Sequence, residues 1–65
     1  MKVQINGDPV DMQGTTLADL LEAEGFGGAK VATAVNGEFV PASLRAGHAL
    51  TEGDRIEVLA PMQGG

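Results

Sequence analysis

Cysteine is absent from this sequence. With it go disulfide staples, a thiolate nucleophile and any cysteine-built zinc site. Tryptophan and tyrosine are missing too, and the two aromatics are Phe26 and Phe39, so the core has to be built from Val, Ile, Leu and Met. The single histidine is His48. A metal site would need carboxylates gathered around that one imidazole, and the sequence shows no such cluster, so His48 reads as a surface or loop-packing residue. Basic side chains are few: Lys2, Lys30, Arg45 and Arg55 stand scattered against nine acidic residues. That argues against a nucleic-acid partner, which requires a clustered positive face. The net charge of −5 serves solubility and suits a basic docking surface on a partner. No apolar run approaches the ~20 residues that span a bilayer. Met1 opens directly into a strand-like pattern without signal- or transit-peptide character. No membrane partner and a cytoplasmic location are therefore expected.

What is present fits one small domain. A chain of 65 residues buries roughly 60% of the surface its unfolded form exposes, enough for a thin core. Its apolar fraction of 43% is that of an ordinary globular domain rather than a disordered chain. No internal repeat or second domain is visible.

Periodicity locates the elements. Met1, Val3 and Ile5 alternate with Lys2, Gln4 and Asn6, the period of a half-buried strand. Asn6-Gly7-Asp8-Pro9 is a dense turn signal, and Val10 and Met12 resume the alternation, so the first segment reads as a hairpin. Thr16 has the character of a helix N-cap, with Asp19 completing a capping box through a shorter acid than usual. Leu17, Leu20 and Leu21 share one helical face. Gly25 can take the left-handed conformation that closes a helix, with Phe26 folding back on its end. Val31–Val35 is a second strand, Asn36-Gly37 the strongest short hairpin signal, and Glu38-Phe39-Val40 its partner, ended by Pro41. Residues 43–50 are irregular with room for a short helical turn. Thr51-Glu52-Gly53-Asp54 is a further turn, and Arg55–Leu59 a last strand with Ile56 and Val58 on one face. The order strand, strand, helix, strand, strand, strand packs as one mixed sheet with the helix across one face. Val3, Ile5, Val35, Ile56 and Val58 can meet the leucine stripe, and the last strand is suited to a central position.

After Pro61 nothing periodic remains, and Met62-Gln63-Gly64-Gly65 reads as a flexible tail. Two consecutive glycines make the narrowest peptide available, able to thread a channel and let another backbone approach. From Ala60 to Gly65 the chain can reach ~20 Å when extended. A carboxylate at its end is a poor electrophile, but joining AMP to it creates a leaving group that a sulfur nucleophile displaces. Without cysteine the chain cannot hold sulfur as its own persulfide. Any sulfur it carried would have to sit on the Gly65 carboxyl as a thiocarboxylate.

Three stretches together, Val31-Ala-Thr-Ala-Val-Asn-Gly-Glu-Phe-Val-Pro41, Glu52-Gly-Asp-Arg-Ile-Glu-Val58 and Met62-Gln-Gly-Gly65, resemble the ThiS family of thiamine-biosynthesis sulfur carriers. The resemblance covers nearly the whole chain and implies an α+β, ubiquitin-like β-grasp fold. It implies a mixed sheet of about five strands with one helix across one face, spanning 1–60 with a flexible tail at 61–65. It also implies that Gly65 is adenylated by a ubiquitin-activating-like adenylyltransferase of the ThiF type, which uses ATP and a metal ion. Sulfur then comes from a donor carrying a cysteine persulfide, and the loaded tail delivers it to a thiazole synthase of the ThiG type. On this reading the chain is a cosubstrate with no catalytic residue and no bound cofactor, and Met62, Gln63 and Gly64 lie in the partner's channel.

Strand parity puts Ala34, Phe39 and Leu59 on the sheet face away from the helix, the face ubiquitin-like proteins commonly present to partners. These three are the expected docking surface. Three other readings share the tail or the fold. One is a sulfur carrier for molybdopterin synthesis or tRNA thiolation, and another a protein modifier conjugated through Gly65. The third is a β-grasp interaction module without tail chemistry. The molybdopterin type usually has a longer helix and an aromatic-proline stretch before its glycines, from which Leu59-Ala60-Pro61-Met62 departs.

Overall fold

The computed structural model describes residues 1–60. Its strands are β1 (Lys2–Ile5), β2 (Asp8–Asp11), β3 (Ala32–Val35), β4 (Glu38–Val40) and β5 (Arg55–Leu59). Between β2 and β3 lies the helix α1 (Leu17–Ala23), and between β4 and β5 a 3-10 helix (Ala42–Gly47). The five strands form one sheet in the order β2-β1-β5-β3-β4. β5 runs parallel to β1 and antiparallel to β3, and each outer pair is an antiparallel hairpin. This is the mixed sheet and crossing helix of the β-grasp arrangement, with β5 in the centre as its alternating apolar residues require.

Both hairpins turn on Asn-Gly. Asn6 and Asn36 have φ of 50° and 52°, and Gly7 and Gly37 have 87° and 86°. Two successive positive φ values define the type I′ turn whose twist matches that of the flanking strands. In the first hairpin the turn is shorter than the sequence signal suggests. Asp8 and Pro9 belong to β2, paired with Ile5 and Gln4. Pro9 is tolerated because β2 is an edge strand and a proline there forfeits no ladder bond. β3 likewise begins one residue later than the apolar run, at Ala32.

The helix is set by its two ends. The Thr16 hydroxyl accepts from the Asp19 backbone N–H at 3.1 Å, and the Asp19 carboxylate accepts from the Thr16 N–H at 3.1 Å and the Thr15 N–H at 3.0 Å. Asp19 thus performs the capping-box task despite its shorter side chain. At the other end Gly25 is left-handed with φ 86°. The Phe26 N–H bonds Leu21 O at 2.8 Å and the Gly25 N–H bonds Glu22 O at 3.2 Å. This pair of bonds is the Schellman closure, and it folds Phe26 back against the core.

Leu17, Leu20 and Leu21 bury the helix stripe on Val3, Ile5, Val35, Val40, Ile56 and Val58 of the sheet, with Met12 and Leu50 closing the margins. Leu17 and Leu20 are wholly inaccessible. Thr33 is the one buried polar side chain among the described residues. Its hydroxyl donates to Val40 O at 2.7 Å and accepts from Arg45 Nε at 3.0 Å. Arg45 also donates to Val31 O at 2.6 Å, tying the 3-10 helix to the start of β3. The turn before β5 is organised by Asp54. Its carboxylate accepts from the Thr51 N–H at 2.9 Å, the Thr51 hydroxyl at 3.0 Å and the Asn36 amide at 3.0 Å.

Two carboxyls are held below their ordinary value of 3.8, both by donors that prefer the charged form. For Asp19 the largest cause is the Thr15 N–H, then the Thr16 N–H and hydroxyl. For Asp54 it is the Thr51 N–H, then the Asn36 amide. A carboxyl depressed on folding contributes stability that is complete above its unfolded value and is lost as pH falls through its folded value. The urea midpoint should therefore stay level from neutrality down to about pH 4 and fall below it. Asp19→Asn combined with Asp54→Asn should lower the midpoint at neutrality and flatten the acid decline. A decline of unchanged slope in that variant would show that other carboxyls drive it.

Candidate functional site

The tail residues singled out in the sequence, Met62, Gln63, Gly64 and Gly65, lie outside the described residues. What the structure does describe is the root of that tail and the face beside it. β5 leads into the tail and is held on both edges. On the β3 side pairing is continuous, with Ala32 opposite Leu59, Ala34 opposite Glu57 and Val35 opposite Ile56. On the β1 side backbone pairing covers Gln4–Arg55 and Ile5–Ile56, and Asn6 then turns away.

Its side chain continues the ladder in place of the backbone. Asn6 Nδ2 donates to Val58 O at 3.0 Å, and the Val58 N–H donates to Asn6 Oδ1 at 2.9 Å. One primary amide thus presents the donor and acceptor of a peptide group to the penultimate residue of β5. Asn36 does the related task at the other end of the strand. Its Oδ1 accepts from the Arg55 N–H at 3.0 Å, and its Nδ2 donates to Asp54. Sequence reasoning assigns both asparagines only to turns. The signal available was that asparagine, and not aspartate, occupies both turns: of the two, only the amide offers a donor and an acceptor together.

The sheet face away from the helix carries the expected docking residues. Ala34 pairs with Phe39 on one side and Glu57 on the other. Leu59 sits opposite Ala32, one step further along. Ala34, Phe39 and Leu59 therefore share the face, but Phe39 and Leu59 are two strands apart and diagonal. The alanines form a low floor between two prominent ends, with Phe39 69% and Leu59 61% exposed. Strand parity places Lys2, Arg55, Asp11 and Glu57 on the same face, where their charges balance. The net charge of −5 is thus carried by the rest of the molecule. Beside the apolar floor lies an open depression of about 630 Å³, flanked by Gln4, Asn6, Asn36 and Arg55.

Among the described residues no three His, Asp or Glu side chains come together as metal ligands. No helix among them is long and apolar enough to cross a membrane. His48 lies in the connector before β5, where its carbonyl accepts from the Leu17 N–H at 2.9 Å.

A model of the ThiS family matches residues 3–65 of the chain. Among solved structures, the fold is similar to the crystal structure of a thiamine biosynthesis protein (ThiS) from Geobacter metallireducens. The TM-score is 0.84, the sequence identity is 29%, and the similarity covers 100% of both chains. No curated protein matches the chain.

The clamp on the tail's root is open to test. Asn6→Ala leaves the Val58 N–H and C=O without partners at a partly buried site, a change expected to cost roughly 1–3 kcal/mol. Hydrogen exchange at the Val58 amide should accelerate by more than the loss of global stability explains, while the Val35 amide should follow global stability alone. Equal acceleration at both amides would show that Asn6 serves the fold generally rather than the strand's end.

Proposed function

The chain belongs to the ThiS family, and we propose from that premise that it is a sulfur carrier in thiamine biosynthesis, working through the carboxyl of Gly65. The observation that carries this reading is the extent of the family match, which runs on through the Gly-Gly pair to residue 65. The central position of β5 supports it as well: the segment that would enter a partner follows the central strand of the sheet. A rigid base and a narrow arm suit delivery of one carboxyl to a remote active site. Ordering the arm costs conformational entropy, which contacts in the partner's channel must offset. Met62, Gln63 and Gly64 are the residues proposed to make them.

The chemistry proposed needs little from the chain beyond its end. A Gly65 carboxylate oxygen attacks the α-phosphorus of ATP in a ThiF-type adenylyltransferase, which supplies the metal ion, and pyrophosphate leaves. The terminal sulfur of a donor's cysteine persulfide then attacks the acyl carbon and expels AMP. Reduction of the resulting sulfur–sulfur bond by a thiol releases the thiocarboxylate. A ThiG-type thiazole synthase takes its sulfur from that group. The chain acts throughout as cosubstrate and carrier, without a catalytic residue of its own.

Intact mass spectrometry after incubation with ATP, magnesium, a ThiF-type enzyme, a persulfide donor and a thiol reductant should reveal a gain equal to the replacement of one oxygen by sulfur. Extending the chain by one alanine beyond Gly65 should abolish it. An unchanged mass in the unmodified chain would overturn the carrier reading, and isopeptide-linked ladders on other proteins would replace it with that of a modifier. Transfer to a molybdopterin precursor or tRNA, but not to a thiazole synthase, would move the pathway and keep the chemistry.

Ala34, Phe39 and Leu59 are proposed as the surface that meets the activating enzyme. Both large side chains are exposed, so Phe39→Asp with Leu59→Asp should leave thermal stability nearly unchanged. Desolvating two added carboxylates at an apolar contact should weaken binding to the activating enzyme by roughly 10-fold or more. Unaltered affinity would move the docking surface elsewhere.

A further inference from the structure

The two hairpins carry one local pattern, Ile5-Asn-Gly-Asp-Pro-Val10 and Val35-Asn-Gly-Glu-Phe-Val40. In each, the residues flanking Asn-Gly, Ile5 with Asp8 and Val35 with Glu38, face one another across the turn. In a two-residue hairpin that pair exchanges backbone hydrogen bonds, and the backbone groups of the next pair point away from each other. The remaining bonds agree. The Asn36 N–H reaches Arg55 O, so the even-numbered residues of β3 face β5, and the Met12 N–H reaches Met1 O, so the even-numbered residues of β2 face β1. Pro9 and Phe39 are therefore equivalent. Each is the residue at which an edge strand turns its backbone to solvent.

At that equivalent position the two edges differ. β2 carries proline, which has no N–H to offer, and is followed by the charged Asp11. Both are devices that blunt an edge against further pairing. β4 has neither. Phe39 presents an N–H and C=O unbonded among the described residues, together with a side chain 69% exposed. On the helix side of β4 lies a groove of about 460 Å³, lined among others by Val40, Leu44, Glu38 and Asp54. Leu44 is itself 59% exposed. Two of the three large exposed apolar side chains of the described residues thus flank this one edge. The titratable lining of the groove is the two carboxylates and the imidazole of His48.

An added strand sends alternate side chains to opposite faces of a sheet. One residue would lie along Phe39 and its neighbour over the Glu38–Asp54 groove. A second copy of this chain fits poorly, since pairing β4 with β4 sets Glu38 near its own counterpart between two bodies of charge −5. We propose that the β4 edge receives an extended segment of a partner protein, which pairs its backbone with Phe39 and places a Lys or Arg, flanked by apolar residues, over the Glu38–Asp54 groove. Backbone bonds then supply affinity and the alternating pockets specificity. This proposal does not depend on the sulfur chemistry.

The test acts on the backbone, because a change of the Phe39 side chain would disturb the docking face as well. The probe is a short blocked peptide alternating Val and Thr around a central Lys, titrated into the isotopically labelled full chain by NMR. The amides of Phe39 and Val40 should shift while those of Val10 and Asp11 stay still. A chemically synthesised chain with an N-methylated Phe39 backbone nitrogen should bind at least about tenfold more weakly. Exchanging the peptide's Lys for Glu should weaken binding similarly, and Glu38→Lys should reverse that preference. Equal shifts at the β2 edge, unchanged affinity after N-methylation, or indifference to the peptide's charge would each overturn the proposal. So would a concentration-dependent dimer that the peptide dissociates.

Discussion

The strand Arg55–Leu59 is paired along both edges, and the rest of the domain is arranged so that this is possible. A parallel neighbour cannot be reached through a tight turn, so the chain must cross between β1 and β5 through other structure. Here the crossing includes α1, the second hairpin and the 3-10 helix. Burying Ile56 and Val58 under the leucine stripe secures one face of β5. Its ends are secured differently, by the amides of Asn6 and Asn36. Hydrophobic burial has no direction, whereas an amide bonded at both its oxygen and its nitrogen fixes register. The central strand of this sheet has the second kind of restraint as well as the first.

Charge and exposure divide the molecule into two sides with different properties. The face away from the helix is electrically balanced and carries Phe39 and Leu59 over an alanine floor. The remaining surface carries the acidic excess. A neutral apolar face and an acidic groove select partners by different means. The β4 edge lies where the two sides meet.

Much of this was legible in the residues. Asn36-Gly37, the Thr16–Asp19 box, Gly25 with Phe26 behind it, and the parity of Arg55–Leu59 each act through local chemistry, and each occurs as its local signal indicates. The turn of the first hairpin is two residues shorter than its signal because Asp8-Pro9, a turn signal in most settings, is also compatible with an exposed edge strand. Whether β2 is an edge is a property of the sheet, not of the segment. Buried Thr33 and the Arg45 that satisfies it were equally out of reach: residues 12 apart meet through the packing of a 3-10 helix against β3.

The sequence by itself determined the elements, the apolar stripe and face that pack together, and the absence of thiol chemistry. Those follow from periodicity, from backbone preferences within a few residues and from composition, none of which needs distant parts of the chain. Only the tertiary structure decided that two asparagines brace the strand leading to the tail, and that Phe39 and Leu59 stand diagonally across a floor of alanines. It also decided that one sheet edge is blunted by Pro9 while its counterpart at Phe39 stays open. Each of these is a relation between strands far apart in sequence, and neighbours in a sheet are chosen by how the whole core closes.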